Sequence, residues 1–223
     1  DLQQAWQGLL SVIAIATIVL GNFVAIMQTN VKRMLAYSSI ANAGYVLIGL
    51  AGGATAGLED AATRAGLIYL ITYMFTNLGA FAVVTALEKD DGSGVQLDDF
   101  TGLSKSHPLL AFMMAVFMLS MIGVPLTAGF VGKLAVFSVA VQAGLYGLTV
   151  IAVLATVVSA FYYVRIIVNM YLRDGEGEFV ASPGQALRWA VYICFVGTLV
   201  AGILPGLIMA LSDQVVLVAT LLR

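Results

Sequence analysis

The residue of this sequence best suited to chemistry is Lys133, a single amine in the middle of an apolar stretch. It follows Pro125 by eight residues, which is about 12 Å along a helix that would begin at a membrane face, so the amine is expected near mid-bilayer. An ionisable group at that depth is costly and needs protein- or water-lined surroundings, which makes a functional role the default reading. Low dielectric disfavours a charged amine, so a lysine there can load and release a proton, whereas one in water stays charged. The plain alternative is a lysine that snorkels to the nearest interface. All 12 acidic residues fall outside or at the edge of the apolar runs. No carboxylate is therefore placed to neutralise Lys133, and its counter-charge is expected from water, another segment or another subunit.

The surroundings of Lys133 favour a cavity. Gly123, Pro125, Gly129 and Gly132 crowd the segment that leads to it. Proline and glycine free backbone carbonyls or let helices part, and broken helices of this kind line ion paths in transporters. A simple proline kink for packing is the competing reading of Pro125. The pair Gly132-Lys133 is not a phosphate loop: Leu134 stands where a Ser or Thr is needed, and no strand precedes it.

A second polar stripe runs through Tyr69, Tyr73 and Asn77, spaced to share one helix face, with Thr72 and Thr76 beside it. These side chains do not titrate near neutral pH, so they would line a wet path or bond neighbouring helices. Lys32 and Arg33 precede an apolar run, where basic residues usually anchor a helix at the interface. Arg165 lies about 10 Å inside the end of its run, within snorkelling reach. His107, the one histidine, sits beside Pro108 at a loop-to-helix junction and reads as an interface residue. Cys194, the one cysteine, lies in an apolar run and reads as a small hydrophobe.

The elements that must position these residues are membrane helices. Of 223 residues, 61% are apolar and 10% charged, against about 25% charged in a soluble domain, too few to coat a water-facing surface. A formal charge of −2 gives no basic footprint for nucleic acid and no polybasic lipid patch. A lone cysteine excludes a disulfide framework and a cysteine metal site. Six apolar runs are long enough for a bilayer core of about 30 Å. They are approximately Trp6–Met27, Met34–Gly52, Gly66–Leu87, Leu109–Val124 continuing into Thr127–Ala143, Gly147–Leu172, and Leu187–Leu211. A helix from Leu109 to Ala143 would be about 50 Å long, so the break at Pro125 is read as a join between two spans, giving seven crossings. The fold expected is an all-α polytopic bundle of about seven helices, with one discontinuous helix around Pro125–Lys133. The first run has no basic region before it and no cleavage site after it, unlike a secretory signal. We expect the chain to be a piece of a longer membrane polypeptide. Gly92–Gly94 reads as a loop tip.

Three segments together, Asn30-Val-Lys-Arg-Met-Leu-Ala-Tyr-Ser-Ser-Ile-Ala-Asn-Ala-Gly-Tyr45, Gly123-Val-Pro-Leu-Thr-Ala-Gly-Phe-Val-Gly-Lys133 and Tyr162-Tyr-Val-Arg165, resemble the antiporter-like membrane subunits of respiratory complex I and its relatives. The resemblance covers nearly the whole chain. It implies a fourteen-helix parent built from two five-helix inverted repeats, each with a discontinuous helix. Residues 32–172 would be one such repeat, with 1–31 and 173–223 as flanking helices. It implies that Lys133 is a central proton-transfer group and that Lys32 belongs to the proton path. Tyr69, Tyr73, Asn77, Pro125 and Gly129 would line the channel. Where this chain has Tyr69, Tyr73 and Asn77, the large L-type members carry His, His and Lys, which sets the chain apart from them.

The resemblance further implies a proton-translocating subunit of a bacterial inner-membrane NADH:quinone oxidoreductase. This chain would hold no cofactor. NADH, FMN, iron–sulfur clusters and quinone would belong to partner subunits, among them neighbouring antiporter-like and small membrane subunits. The alternatives are a subunit of a multi-subunit sodium/proton antiporter or of a membrane-bound hydrogenase, or a helical scaffold in which Lys133 only pairs with a partner.

Overall fold

The computed structural model describes residues 2–89, 91–173 and 184–221. Helices α1 (Leu2–Ile26), α2 (Val31–Gly52) and α3 (Glu59–Leu87) are followed by a 3₁₀ turn at Leu97–Phe100 and a one-turn helix, α4 (Leu103–Ser106). Then come α5 (Pro108–Ile122), α6 (Ala128–Gln142), α7 (Tyr146–Leu172), α8 (Gln185–Ile203) and α9 (Pro205–Leu221). No strand occurs among the described residues. Five of the helices, α1, α2, α3, α7 and α8, are individually long and apolar enough to cross a membrane. The chain is a multi-pass helical membrane protein, as its composition requires.

Two ends of the bundle can be told apart by their ion pairs. At one, Lys32 at the start of α2 meets Glu88 at the end of α3, 2.8 Å apart. At the other, Arg64 near the start of α3 meets Asp213 of α9, also at 2.8 Å. The Lys32 end is closed by the segment after α3. Val31 N–H donates to Val95 O and Leu97 N–H to Thr29 O, while Asn169 Nδ2 donates to Leu97 O. Phe100 and Leu103 are fully buried beneath this cap. Its outer tip turns at Asp91–Gly94, where the Ser93 hydroxyl and amide bond Asp91 and hold that carboxyl below its usual range.

The helices approach closely where side chains are small, as membrane helices do. α1 and α2 meet at Gly21 and Gly44. An added Cβ at Gly44 would lie 2.5 Å from Ile18, and one at Gly21 would lie 2.7 Å from the Ala41 backbone.

α5 and α6 have 15 residues each. At 1.5 Å per residue each is about 22 Å long, too short to cross alone. Their packing shows what they do instead. α5 buries Met114, Phe117 and Met118 in the apolar cluster of the Lys32 end, with Met34, Leu35 and Val83. α6 buries Val136, Val139 and Ala140 in the cluster of the Arg64 end, with Ile48, Ala51 and Ala62. The two helices are halves of one passage, interrupted at residues 123–127.

This differs from the seven crossings expected from apolar length. The halves are not stacked end to end but overlap beside the break, where Gly129 lies directly against the Ser120 backbone. Overlap lets some 35 residues fit one membrane thickness. The run expected as a single helix from Leu187 to Leu211 is likewise broken, since Leu204 ends α8 and Pro205 opens α9. α8 starts in the cluster of the Lys32 end with Val191 and Cys194, and Ala201 and Ile208 carry the passage on toward Arg64. Among the described residues the chain therefore makes six passages, and four of them lie between Lys32 and Leu172.

Candidate functional site

α5 stops because Gly123 adopts a left-handed conformation, φ 93°, and caps the helix by donating to Leu119 O and Ser120 O. The carbonyls of the last turn then have no amides ahead of them, and such a helix end carries roughly half a negative elementary charge. Lys133, six residues into α6, turns back onto that end. Its Nζ donates to Met121 O at 2.8 Å and to Ile122 O at 3.1 Å. It also lies 5.0 Å from the centre of the Tyr45 ring, on the face that attracts cations.

Lys133 is only 6% exposed. Its depth follows from the break, not from distance along a helix that starts at a membrane face. α6 begins mid-bundle at Ala128, and α5 supplies the other half of the passage. Within this chain the amine faces neutral backbone carbonyls of the preceding half-helix, which steady a cation without neutralising it.

Beside it is a cavity of about 10 Å³, the lower limit for holding one water. Asn42, Tyr69, Thr72, Tyr73, Thr76, Ser120, Met121, Gly129 and Lys133 line it. The Tyr69 hydroxyl donates to Asn42 Oδ1 at 2.7 Å, and the Tyr69 and Tyr73 rings stack with centroids 6.1 Å apart. Thr76 and Ser120 share a hydrogen bond of 2.9 Å, and Ser120 Oγ also accepts from Gly129 N at 3.0 Å. Ser120 thereby occupies one of the free amides that open α6. The Tyr73 hydroxyl is buried without a hydrogen-bond partner in the structure.

Tyr69, Tyr73, Gly129 and Lys133 are thus brought together. Asn77 belongs to the same α3 face but stands outside the cavity lining, accepting a long bond of 3.4 Å from Ser39. Pro125 is exposed on the outside of the break and does not line the cavity. Lys32 is at the far end of α2, bound to both oxygens of Glu88. Along α3, Glu88 is eleven residues, about 16 Å, beyond Asn77. Arg165 donates to Gln28 O at the Lys32 end. His107 caps the start of α5, and Cys194 is buried. Among the described residues no cluster of His, Cys, Asp or Glu is placed to hold a metal ion.

Sequence reasoning gave no role to Asn42, Tyr45, Ser120 or Glu88. A signal existed for two of these. Ser38, Asn42 and Tyr45 recur at helical spacing within the apolar run of α2, and that face meets the α3 stripe.

The family described as NADH:quinone oxidoreductase/Mrp antiporter, TM, matches residues 1–159. Among curated relatives, the NADH-quinone oxidoreductase subunit N of Trichlorobacter lovleyi is 44% identical over 215 residues, 95% of this chain and 42% of that protein. A chain of the respiratory complex I from Thermus thermophilus, solved with bound aureothin, superposes with a TM-score of 0.78 at 35% identity, covering 91% of this chain and 45% of that one. A chain of the Mrp complex from Dietzia sp. DQ12-45-1b superposes with a TM-score of 0.80 at 22% identity, covering 94% and 46%, a likeness of fold alone. The chain spans about two fifths of the length of the curated relatives it matches.

Proposed function

Because the chain belongs to the NADH:quinone oxidoreductase/Mrp antiporter transmembrane family, we propose that it is the proton-moving part of subunit N of an NADH:quinone oxidoreductase. Lys133 takes up and releases the proton. The observation that carries this reading is the pair of α5 carbonyls facing a buried amine that has no carboxylate partner among the described residues. A carboxylate at contact distance would lock the ammonium in place. Carbonyl dipoles steady the cation, yet leave no stranded anion when the proton departs.

Tyr69, Thr72, Tyr73, Thr76 and Ser120 hold the small polar space into which the proton is passed. Tyr73, with its unpartnered hydroxyl, is the group in that lining able to gain a hydrogen bond from a water without losing one. Lys32 with Glu88 forms the polar group at the end nearest Asn77 and serves as the place where protons exchange with that surface. Between Asn77 and Glu88 the path needs transient water.

Electron transfer lies elsewhere in the assembly. NADH, FMN, iron–sulfur clusters and quinone are held by partner subunits, and this chain supplies no cofactor ligand. Its neighbours are other antiporter-like and small membrane subunits, in the inner membrane of a bacterium. The inverted repeat is best drawn as α1 to α7, with α5 and α6 as its one discontinuous member, because that unit makes five passages. α8 with α9 then follows it. Membership of a redox complex, as against a sodium/proton antiporter, is supported by 44% identity to a subunit N over 95% of this chain.

Purifying the full-length protein through a tag in its native membrane tests the assignment. Recovery of an intact NADH-oxidising complex that acidifies sealed vesicles is the expected result. Recovery with small membrane proteins alone, and sodium-dependent proton exchange, would move it to the antiporter class.

A further inference from the structure

α8 does not merely cover the bundle; its own break docks on the break beside Lys133. An added Cβ at Gly202 would lie 2.3 Å from Leu126 O and 2.5 Å from Thr127 Cα, distances no real side chain tolerates. These are backbone atoms of the loop between α5 and α6 and cannot swing aside. Next to Gly202, Ala201 packs with Ala128 and Val131 of α6. One residue further on α8 ends, and Pro205 starts α9.

The loop that Gly202 touches is under strain. Leu126 has φ 71°, and among the described residues no other non-glycine has a positive φ. A left-handed leucine persists only where its surroundings hold it. Its side chain is 68% exposed, so its own packing supplies little of that hold. Within the loop, Thr127 Oγ1 donates to Val124 O at 2.6 Å. From Val124 the backbone passes through Gly123 to the two carbonyls that receive the Lys133 amine.

We propose that Gly202 is a positioning residue for Lys133. By lacking a side chain it lets α8 clamp the Leu126–Thr127 backbone, and the clamped loop keeps the Met121 and Ile122 carbonyls turned toward the amine. α8 and α9 therefore report to the proton site through backbone contact, and a shift of α8 alters how firmly the amine is held. This rests on the reading above that Lys133 carries the proton.

The test uses the full complex carrying Gly202→Ala, with Gly206→Ala as control, since a Cβ at 206 meets nothing within 4 Å. Three quantities are read: protons moved per electron, the pH profile of that ratio, and the structure of the assembled variant. The expected result for Gly202→Ala is a several-fold lower ratio, a displaced pH profile, and a Leu126–Thr127 loop moved so that Lys133 Nζ leaves the two carbonyls. Gly206→Ala should match the wild type in all three. An unmoved loop with an unchanged pH profile would overturn the proposal, whatever the stability of the variant.

If Gly202→Ala does not assemble, Gly202→Ala/Leu126→Gly decides, because a glycine at 126 lets the loop yield without strain. Assembly restored with an altered pH profile supports the clamp; assembly not restored shows that freeing residue 126 does not let the loop yield to α8, and overturns it. Lys133→Met, measured in parallel, separates the two claims. Should that variant pump normally, the role of Lys133 falls, while the loop position in Gly202→Ala still reads the clamp directly.

Discussion

Lys133 reaches back 12 residues to donate a 2.8 Å hydrogen bond to the carbonyl oxygen of Met121, the next-to-last residue of the helix before its own. The break between the two half-helices thus places the amine at mid-bundle and also supplies the negative dipole end it faces. The strength of that interaction depends on the relative position of α5 and α6, so small movements of either half act on the proton directly.

The contact between the halves should therefore be intolerant of added bulk. A Cβ at Gly129 would fall 1.8 Å from Ser120 O, so Gly129→Ala must drive α5 and α6 apart. We expect a loss of about 3 kcal/mol or more, read as a lowered thermal midpoint or failure to accumulate in the membrane. Gly147→Ala, where a Cβ meets nothing within 4 Å, should be neutral within error.

Removing the Tyr69 hydroxyl leaves Asn42 Oδ1 buried without its donor. Tyr69→Phe should cost about 1–3 kcal/mol in thermal stability of the complex. Proton pumping should fall less than in any Lys133 variant, because the hydroxyl positions the lining and does not carry charge. A larger pumping defect than Lys133→Met would contradict that division of labour.

The Lys32–Glu88 pair is partly exposed, at 45% and 22% for the two side chains. Its coupling in a double-mutant cycle of Lys32→Met and Glu88→Gln should be no more than about 1 kcal/mol and should shrink as salt rises. In pumping assays each single variant should retain part of the wild-type rate, as expected for a surface exchange site with water as a substitute. Complete loss of pumping in Lys32→Met with normal electron transfer would make it an obligate carrier.

Lys133→Arg separates proton transfer from scaffolding. Arginine keeps the positive charge against the α5 carbonyls but hardly deprotonates. The variant complex should assemble and transfer electrons yet pump poorly. Preserved pumping would favour a role for Lys133 in holding subunits together.

The membrane class and most helix bounds were legible because apolar length and proline or glycine punctuation are local properties. α1, α2, α3 and α7 lie where the apolar runs lie. The number of passages was not legible, since it depends on whether two half-helices stack or overlap, and that is decided by the close approach of Gly129 to Ser120. Lys133 could be singled out from sequence because an isolated charge in an apolar run has few explanations. Its partners could not, because they are main-chain carbonyls, which every residue possesses. Lys32 could be found but not Glu88, as the pairing joins residues 56 apart through the packing of α2 on α3. Pro125 was legible as a break, but not which way it faces.

The most direct test is the number of protons moved per electron in sealed vesicles containing the full complex with Lys133→Met, compared with wild type at equal electron-transfer rate. A ratio clearly below wild type is expected, in an assembled complex that still oxidises NADH. A ratio equal to wild type would contradict a proton-carrying role for Lys133.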